Sequence, residues 1–424
     1  IFIGHLTATL VVFSFSQLFN ILMTVSLSDR IKRLKTSKTI EISDLARNLL
    51  SEGRNVISLS QGEPDFETPD HIKEAGINAI KEGFTRYSNV DGMPLLKQAI
   101  CKKFLNENNL KYEVSEISVG NGCKQIIFNA LMSIINPGDE VIITAPYWGL
   151  YKEMVNFAEG IPKIVNCSYS DDFKLTAKTL ESAINESTRC LILNNPTNPS
   201  GSVYSLEELK SISEILIKHP KILIITDDIY EYLIYSKNKF HTIAETNVNI
   251  KMRTLTCNGM SKGFCMTGWR LGYAGGPKYL IDAMSKLQSQ STSNASTISQ
   301  YAALEALNAK RDFITEQKKS YIKRRDLTVS FLNKIDGITC NNPEGTFYVF
   351  PSCDGLYGKK TPDAKILQND IDVCKYILET AEVTLVPGTA FGMINFFRIC
   401  YAIDEKILLE ALKRILTVIN KLKY

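Results

Sequence analysis

Lys262 is a lysine in unusual company, within the stretch NGMSKGFCMTGWRLGY (258–273). Ser261 precedes it directly, and Arg270 follows eight positions later. Apolar or cationic surroundings lower the pKa of a lysine and leave part of it as a free amine that can form a Schiff base. Serine and arginine are residue types that bind phosphate. The alternative is an exposed loop lysine, which is the commoner case for any lysine taken singly.

A glycine turn lies in SVGNGCKQIIFNALMSII (118–135), where a short strand is expected to pass through Gly120 and Gly122 into a helix. The free N–H groups and dipole at a helix N-terminus favour an anion. The sequence matches neither of two nucleotide-binding motifs, GxGxxG and GxxxxGK[ST], which argues against a nucleotide-binding site. A small phosphorylated cofactor fits such a site, and a plain glycine turn is the alternative.

Asp227 stands at the end of an apolar run, in TDDIYEYL (226–233). A carboxylate at the end of a buried strand is costly unless a cation pairs with it. A protonated pyridine nitrogen would meet that need. The alternative is an acidic strand end that caps the next helix.

These groups together match the requirements of a pyridoxal phosphate enzyme. Such an enzyme needs a lysine that forms a Schiff base, a carboxylate at the ring nitrogen, a phosphate site and an aromatic side chain against the ring. The lysine is Lys262 and the carboxylate is Asp227. The phosphate site is the glycine turn, and the aromatic side chain is Trp148.

The elements that must position these residues read as α/β, with a large domain built on a mixed, mostly parallel sheet between helices. Four β-rich runs cover 140–146, 189–196, 221–228 and 253–262. Each run ends in residues able to do chemistry, and ligands of open α/β sheets bind beyond the carboxyl ends of the strands. The four ends therefore predict one site, formed by Tyr147 and Trp148, Asn194 and Asn198, Asp227, and Lys262.

The domain prediction follows from the length of 424 residues, which exceeds what one core normally serves. We expect a large cofactor-binding domain over 67–310, a smaller α+β domain over 311–424, and an N-terminal segment, 23–66, that joins the smaller domain. The first 22 residues carry no charge. We interpret them as an over-extended start ahead of Met23, with a membrane anchor as the alternative.

Composition excludes several classes of protein. Net charge is +4, and no basic stripe interleaved with aromatic residues indicates nucleic acid. The four histidines are far apart, so no metal site is expected. Ten scattered cysteines without a CxxC pair indicate reduced thiols in a cytoplasmic protein.

Six motifs in register resemble those of the fold-type I aminotransferases, specifically the bacterial subgroup Ib of aspartate aminotransferases. The resemblance runs from about Leu27 to the C-terminus. The motifs are LSQGEPDFETP (59–69), PYW (146–148), NNPTNPSG (194–201), DDIYE (227–231), SKGFCMTGWRLGY (261–273) and FRICYA (397–402).

The resemblance implies a role for each matching residue. Lys262 would hold the cofactor and shuttle a proton, with Asp227 as the partner of the ring nitrogen. Tyr230 and Asn198 would bind the phenolic oxygen, and Trp148 would stack on the ring. The phosphate would be bound by the residues Gly122, Cys123, Lys124, Ser261 and Arg270. Cys123 departs from the family, where glycine or alanine is commoner. Tyr87 would reach the phosphate of a neighbouring subunit, which implies a homodimer with shared sites.

Substrate recognition is implied in the same way. Arg398 would grip the α-carboxylate in a bidentate fork, helped by the Gly62 backbone, Asn198 and Trp148. The stretch QSQSTSNAST (288–297) lacks the arginine that other aspartate aminotransferases use for the distal carboxylate. In subgroup Ib a lysine that matches Lys124 does that work.

The predicted reaction is therefore the reversible transfer of the amino group of L-aspartate to 2-oxoglutarate, giving oxaloacetate and L-glutamate. Transfer involving prephenate or aromatic substrates is the alternative on the same scaffold. A β-lyase is a further one, which Lys124 disfavours. A regulator that keeps the fold without turnover is disfavoured because no helix-turn-helix signal precedes the first motif. Ser37 and Thr39 are candidate contacts in a segment that closes over the substrate.

Overall fold

The computed structural model describes residues 26–34, 38–236 and 239–424. The apolar leader, Ser37 and the side chain of Thr39 lie outside what is described. The chain divides into two compact units after residue 35, and the first contributes one short helix, α1 (Asp29–Arg33). The second unit contains all of the other described helices and strands.

Helices make up much of that unit. Across the described ranges, none of them is both long and apolar enough to cross a bilayer. Their bounds are α2 (Lys38–Ser51), α3 (Asp70–Lys81), α4 (Pro94–Asn108), α5 (Cys123–Ile134), α6 (Leu150–Phe157), α7 (Ala177–Ala183), α8 (Leu206–Ile217), α9 (Val248–Lys251), α10 (Lys278–Ser289), α11 (Thr297–Asn308), α12 (Asp312–Leu332), α13 (Asp370–Ala381) and α14 (Glu405–Ile419).

A seven-stranded sheet forms the centre of the fold. Its strands are β2 (Ile117–Gly120), β3 (Glu140–Ala145), β4 (Ile161–Asn166), β5 (Thr188–Asn194), β6 (Leu223–Asp227), β7 (Thr254–Gly259) and β8 (Gly272–Gly275). The strand order is β2-β8-β7-β6-β5-β3-β4, and only β8 runs antiparallel to its neighbours. The predicted mixed, mostly parallel α/β sheet is confirmed. The four β-rich runs became β3, β5, β6 and β7, which lie side by side.

The glycine turn is formed as expected between β2 and α5. Gly122 has φ +85°, a left-handed conformation that glycine adopts without strain. Close packing against β8 fixes the turn, because a Cβ on Gly272 would lie 2.2 Å from the Cys123 nitrogen. The N-terminus of α5 is therefore held at the sheet by a strand that has no side chain at the contact.

Smaller sheets are built by the end of the chain. Strands β9 (Tyr348–Val349), β11 (Val386–Pro387) and β12 (Phe397–Cys400) form a three-stranded antiparallel sheet. Strand β1 (Ile57–Ser58) pairs in parallel with β10 (Val383–Thr384). The N-terminal segment thus reaches the C-terminal third of the chain, as its assignment to a smaller domain requires. The domain boundaries themselves stay a prediction.

A buried ionic network ties α4 to the loop that follows β6. Lys103 pairs with Glu231, and both side chains are almost fully buried, at 1% and 4% exposed. Asn108 joins them by accepting from the Lys103 amine over 2.7 Å and donating to Glu231 over 3.0 Å. Glu231 follows Tyr230 directly, so this network anchors a loop that carries a predicted site residue.

Lys103→Met should strongly destabilise the protein, because it leaves the Glu231 carboxylate buried without its cation. Breaking one side of a buried pair typically costs about 3–5 kcal/mol. The measurement is the midpoint of urea unfolding, with Lys102→Met at the exposed neighbouring position as the control. Equal midpoints for the two variants would contradict the assignment.

Candidate active site

One cavity of about 510 Å³ opens at the carboxyl ends of the parallel strands. It brings together residues from β5, β6, the turn after β7, the start of α5, and β12. The lining residues are Gly62, Cys123, Lys124, Trp148, Tyr151, Asn194, Asn198, Asp227, Ile229, Tyr230, Ser261, Lys262, Thr267, Arg270, Tyr348 and Arg398.

Asp227 ends β6 and is buried. Its Oδ2 accepts a hydrogen bond from the Tyr151 hydroxyl over 2.6 Å, and its Oδ1 accepts from the Cys123 thiol at 3.5 Å and from the Ile229 N–H at 3.3 Å. All three donors are neutral, and no cation of the described residues forms an ion pair with it. Burial raises the pKa of the carboxyl, and these hydrogen bonds partly oppose that. Turns rather than a helix follow β6, so Asp227 does not cap a following helix, as the alternative interpretation required.

Cys123 remains a thiol in this position. A hydrogen bond with Cys257, followed by burial, holds the pKa of Cys123 well above its usual range. Cys257 is the register partner of Asp227 on the neighbouring strand β7. The thiol therefore acts toward Asp227 as a neutral donor and not as a thiolate.

Lys262 lies in the turn after β7, and its amine donates to the Gly62 carbonyl oxygen over 2.7 Å. Burial lowers the pKa of this amine to about 8, and the positive charges of Arg398 and Arg270 act in the same direction. The Lys262 amine therefore loses its proton at a lower pH than an ordinary lysine does, as its apolar sequence surroundings indicated. The amine also faces Asp227, whose pKa its charge lowers.

The anion turn is completed by Arg270 and Ser261. A Cβ on Gly122 would lie 2.5 Å from the Arg270 guanidinium, which shows how closely the arginine approaches the N-terminus of α5. Arg270 donates to the Thr267 and Asn121 carbonyl oxygens, over 2.9 and 3.3 Å. Positive charge, a buried serine and a helix N-terminus thus meet at one end of the cavity, an arrangement suited to a phosphate.

Lys124 is the second residue of α5 and lines the cavity. Its amine lies 5.3 Å above the centre of the Trp148 ring. Partial burial, and then the positive charge of Arg270, lower its pKa. Trp148 itself contacts Tyr151 edge-on at 5.3 Å between ring centres.

Arg398 on β12 is buried and held from both sides. One terminal nitrogen donates to Asn198 Oδ1 over 2.9 Å and the other to the Ser60 carbonyl oxygen over 2.6 Å. Its Nε is buried without a partner among the described residues. Tyr348 stacks on the guanidinium at 4.3 Å from the ring centre. A fixed, planar, partly unpaired guanidinium is well suited to grip a carboxylate.

Tyr230 and Tyr348 form a hydroxyl pair at 2.9 Å. Burial raises the pKa of both phenols, so both stay neutral near physiological pH. Asn194 organises the neighbouring loop, because it donates to the Asp227 carbonyl oxygen over 2.7 Å and accepts from the Asn198 N–H over 2.8 Å.

Most predicted site residues lie together at this cavity. Gly122 adjoins it through Arg270, and Tyr87 lies outside it with its side chain 92% exposed. Sequence reasoning missed Tyr151, Ile229, Thr267 and Tyr348 as lining residues. Tyr151 carried one usable signal, since it follows Trp148 by three residues, and its N–H donates to the Trp148 carbonyl oxygen over 3.0 Å.

The model for aminotransferase class I and II matches residues 54–415. The chain belongs to this family, and the resemblance drawn from its motifs is confirmed. It is therefore an aminotransferase by family, with the sheet that this family builds.

Particular relatives are similar over almost the whole length. An aspartate aminotransferase of Rhizobium meliloti (strain 1021) is 48% identical over 395 residues, covering 93% of this chain and 96% of the relative. An aspartate/prephenate aminotransferase of Cereibacter sphaeroides is 49% identical over 389 residues, covering 92% and 97%.

Solved structures of aspartate aminotransferases are similar to this chain in fold. The aspartate aminotransferase from Rhizobium meliloti superposes with a TM-score of 0.93 at 48% identity, over 94% of this chain and all (100%) of that one. The Thermus thermophilus aspartate aminotransferase with maleate gives 0.87 at 37% identity, over 93% of this chain and 100% of that one.

Lys262 should titrate near pH 8 in the full-length protein without added cofactor, because burial disfavours its ammonium form. Competitive labelling with acetic anhydride, read by peptide mass spectrometry across a pH series, measures this directly. Exposed Lys278 serves as the internal reference for the reactivity of the reagent. A Lys262 midpoint near the ordinary lysine value of about 10.4 would contradict the burial argument.

Proposed function

We propose that the cavity binds pyridoxal 5′-phosphate and that the chain is an aspartate aminotransferase, which moves the amino group of L-aspartate to 2-oxoglutarate. The observation that carries the proposal is Asp227, a buried carboxylate with only neutral donors, which lines the same cavity as Lys262, an amine whose pKa burial lowers. The relatives named aspartate aminotransferase support the choice of substrate.

The residues present fit the cofactor at each of its groups. Asp227 lacks a cation, and a protonated ring nitrogen would supply one. Ser261, Arg270 and the N-terminus of α5 would hold the phosphate. Trp148 would cover the ring, while Tyr230 and Asn198 would bind its phenolic oxygen.

Lys262 is the residue that would move the proton. Pyridoxal phosphate, when bound, supplies an electron-withdrawing ring that stabilises negative charge at the substrate Cα. An amine whose pKa is lowered to about 8 can both take a proton from that carbon and return one, since both its acid and its base form are accessible near neutral pH. Asp227 would hold the proton on the ring nitrogen, and Tyr151 and Cys123 would keep the carboxylate in place.

Arg398 would bind the substrate α-carboxylate. Asn198 and Ser60 fix its orientation, and the unpaired Nε leaves donor capacity for a ligand. Stacking on Tyr348 keeps the guanidinium plane facing the cavity. The α-carboxylate would therefore be bound by a guanidinium of fixed orientation, in the same cavity as Lys262.

Lys124 would bind the distal carboxylate of aspartate. Its amine borders the cavity above Trp148, and no acidic partner pairs with it within the described chain. Two cationic groups at one cavity, Arg398 and Lys124, match the two carboxylates of a dicarboxylic amino acid.

We propose a homodimer with shared sites on the strength of Tyr87. Its side chain is 92% exposed on its own chain and lies away from the cavity. A tyrosine this exposed on its own chain is free to reach the phosphate region of a second copy.

Prephenate is a second candidate for the amino-group acceptor. Relatives such as the one from Cereibacter sphaeroides are named aspartate/prephenate aminotransferases, at an identity similar to that of the aspartate enzymes. Prephenate carries two carboxylates, so the pair of Arg398 and Lys124 suits it as well. Comparing kcat/KM for 2-oxoglutarate and prephenate, each with aspartate as donor, ranks the two.

Lys262→Ala should lower aspartate transamination by more than about 10³-fold, because the residue that holds the cofactor and moves the proton is lost. Oxaloacetate formation from aspartate and 2-oxoglutarate is the measurement. Lys278→Ala, at an exposed site, is the control. Substantial turnover by the Lys262 variant would refute the site, and release of pyruvate and ammonia by the wild type would indicate a lyase instead.

Lys124→Ser should lower kcat/KM for aspartate about 10- to 100-fold, the equivalent of a hydrogen bond to a charged group. The loss for an aromatic amino acid should be much smaller, since it has no distal carboxylate. Lys124→Arg, which keeps the charge, should retain the preference for aspartate. Equal losses for both substrates would mean that Lys124 serves the phosphate or the fold.

A further inference from the structure

One short segment, 59–63, contacts two of the cationic groups on which the proposed reaction depends, Arg398 and Lys262. The Ser60 carbonyl accepts from Arg398 over 2.6 Å, and the Gly62 carbonyl accepts from Lys262 over 2.7 Å. The Leu59 carbonyl accepts from the Cys400 N–H on β12 over 2.8 Å. The segment thus lies between β12 and the turn that carries Lys262.

Glu63 connects the far end of this segment to the same turn. Its Oε1 accepts from the Thr267 hydroxyl, and its Oε2 accepts from the Gln61 side chain over 2.7 Å. Thr267 lines the cavity, and its carbonyl oxygen accepts from Arg270 over 2.9 Å. Glu63 therefore joins the Gly62 carbonyl and the anion-binding turn through a single half-buried carboxylate.

Glu63 is also part of the charge environment of Lys262. Burial is the main influence and lowers the pKa of the amine, and Arg398 and Arg270 lower it further. Cys400 and Glu63 act in the opposite direction. Burial raises the pKa of Cys400 to about 11, so this thiol is uncharged at the pH where Lys262 titrates.

The remaining groups around the amine do not replace Glu63. Asp227 also interacts with the charge of Lys262, but its hydrogen bonds go to Tyr151, Cys123 and a backbone N–H and not to the turn that carries Thr267. The Tyr230 and Tyr348 phenols are neutral because burial raises their pKa. Lys124, on the cavity wall, adds positive charge only. Glu63 is thus the carboxylate that both contacts the turn and favours the ammonium form of Lys262.

We propose that Glu63 is a positioning residue for Lys262: its hydrogen bond with Thr267 fixes the Gly62 carbonyl against the amine, and its negative charge counters the two arginines. Without that charge, the amine would be a free base over a wider pH range and a weaker proton acceptor. The role of Glu63 in catalysis rests on the proposed aminotransferase reaction. Its hydrogen bond with Thr267 and its effect on the charge of Lys262 do not depend on that reaction.

Three variants separate charge from hydrogen bonding. Glu63→Gln removes the charge but leaves an amide oxygen that can accept from Thr267. Thr267→Val removes the hydrogen bond but leaves the charge. Glu67→Gln is the matched control, because it removes an exposed carboxylate from the same stretch of chain. Each is studied in the full-length protein without added cofactor.

Competitive acetic anhydride labelling gives the Lys262 midpoint, and hydrogen–deuterium exchange gives the protection of the peptide over 59–69. Glu63→Gln should lower the midpoint by roughly half a unit, as expected for one nearby charge. Glu67→Gln should leave it unchanged. Thr267→Val should leave the midpoint nearly unchanged but increase exchange in the peptide, because the contact that holds it is lost.

The proposal is overturned if Glu63→Gln leaves the midpoint unchanged, or if Glu67→Gln shifts it equally. It is also overturned if Thr267→Val leaves the exchange unchanged. These readouts do not depend on turnover, so a protein that shows them without transaminating aspartate would refute the proposed function alone. In the active enzyme, Glu63→Gln should move the acidic limb of the kcat profile for aspartate, which reports groups of the substrate complex, to lower pH, and Glu67→Gln should not.

Discussion

The uncompensated burial of Asp227 is the constraint on which the rest of the site depends. A carboxylate in the interior needs either a cation or a full set of donors, and here Tyr151, Cys123 and a backbone N–H supply neutral donors only. That leaves the carboxyl with a raised pKa and a preference for a positively charged ligand. Around such a group, a cation-bearing ring is stabilised by the fold itself before any substrate binds.

The parallel sheet explains why groups distant in sequence meet there. Strands β5, β6 and β7 are neighbours in register, with Asn194 opposite Asp227 and Asp227 opposite Cys257. Their carboxyl ends must therefore open at one edge, and the turns beyond them carry Asn198 and Lys262. Arg398 comes from a different sheet. The chain segment 59–63 connects it to Lys262, because main-chain carbonyl oxygens of this segment accept hydrogen bonds from both side chains.

The strand-end residues were predictable because each follows a continuous apolar run, and a parallel sheet aligns such runs. Lys262, Asp227 and Asn198 needed no knowledge of packing. Tyr348 and the contact between Glu63 and Thr267 could not be found that way, because they join segments separated by 118 and 204 positions. No periodicity links such pairs, and only the packed tertiary structure brings them together. The individual roles, first implied by the family resemblance, draw physical support from these contacts.

The packing of β8 against the glycine turn has a consequence for protein engineering. A side chain at position 272 would meet the backbone of Gly122 and Cys123 within 2.4 Å, and backbone cannot move aside as a flexible side chain can. Random libraries aimed at accepting a different anionic cofactor will therefore lose nearly every member mutated at Gly272.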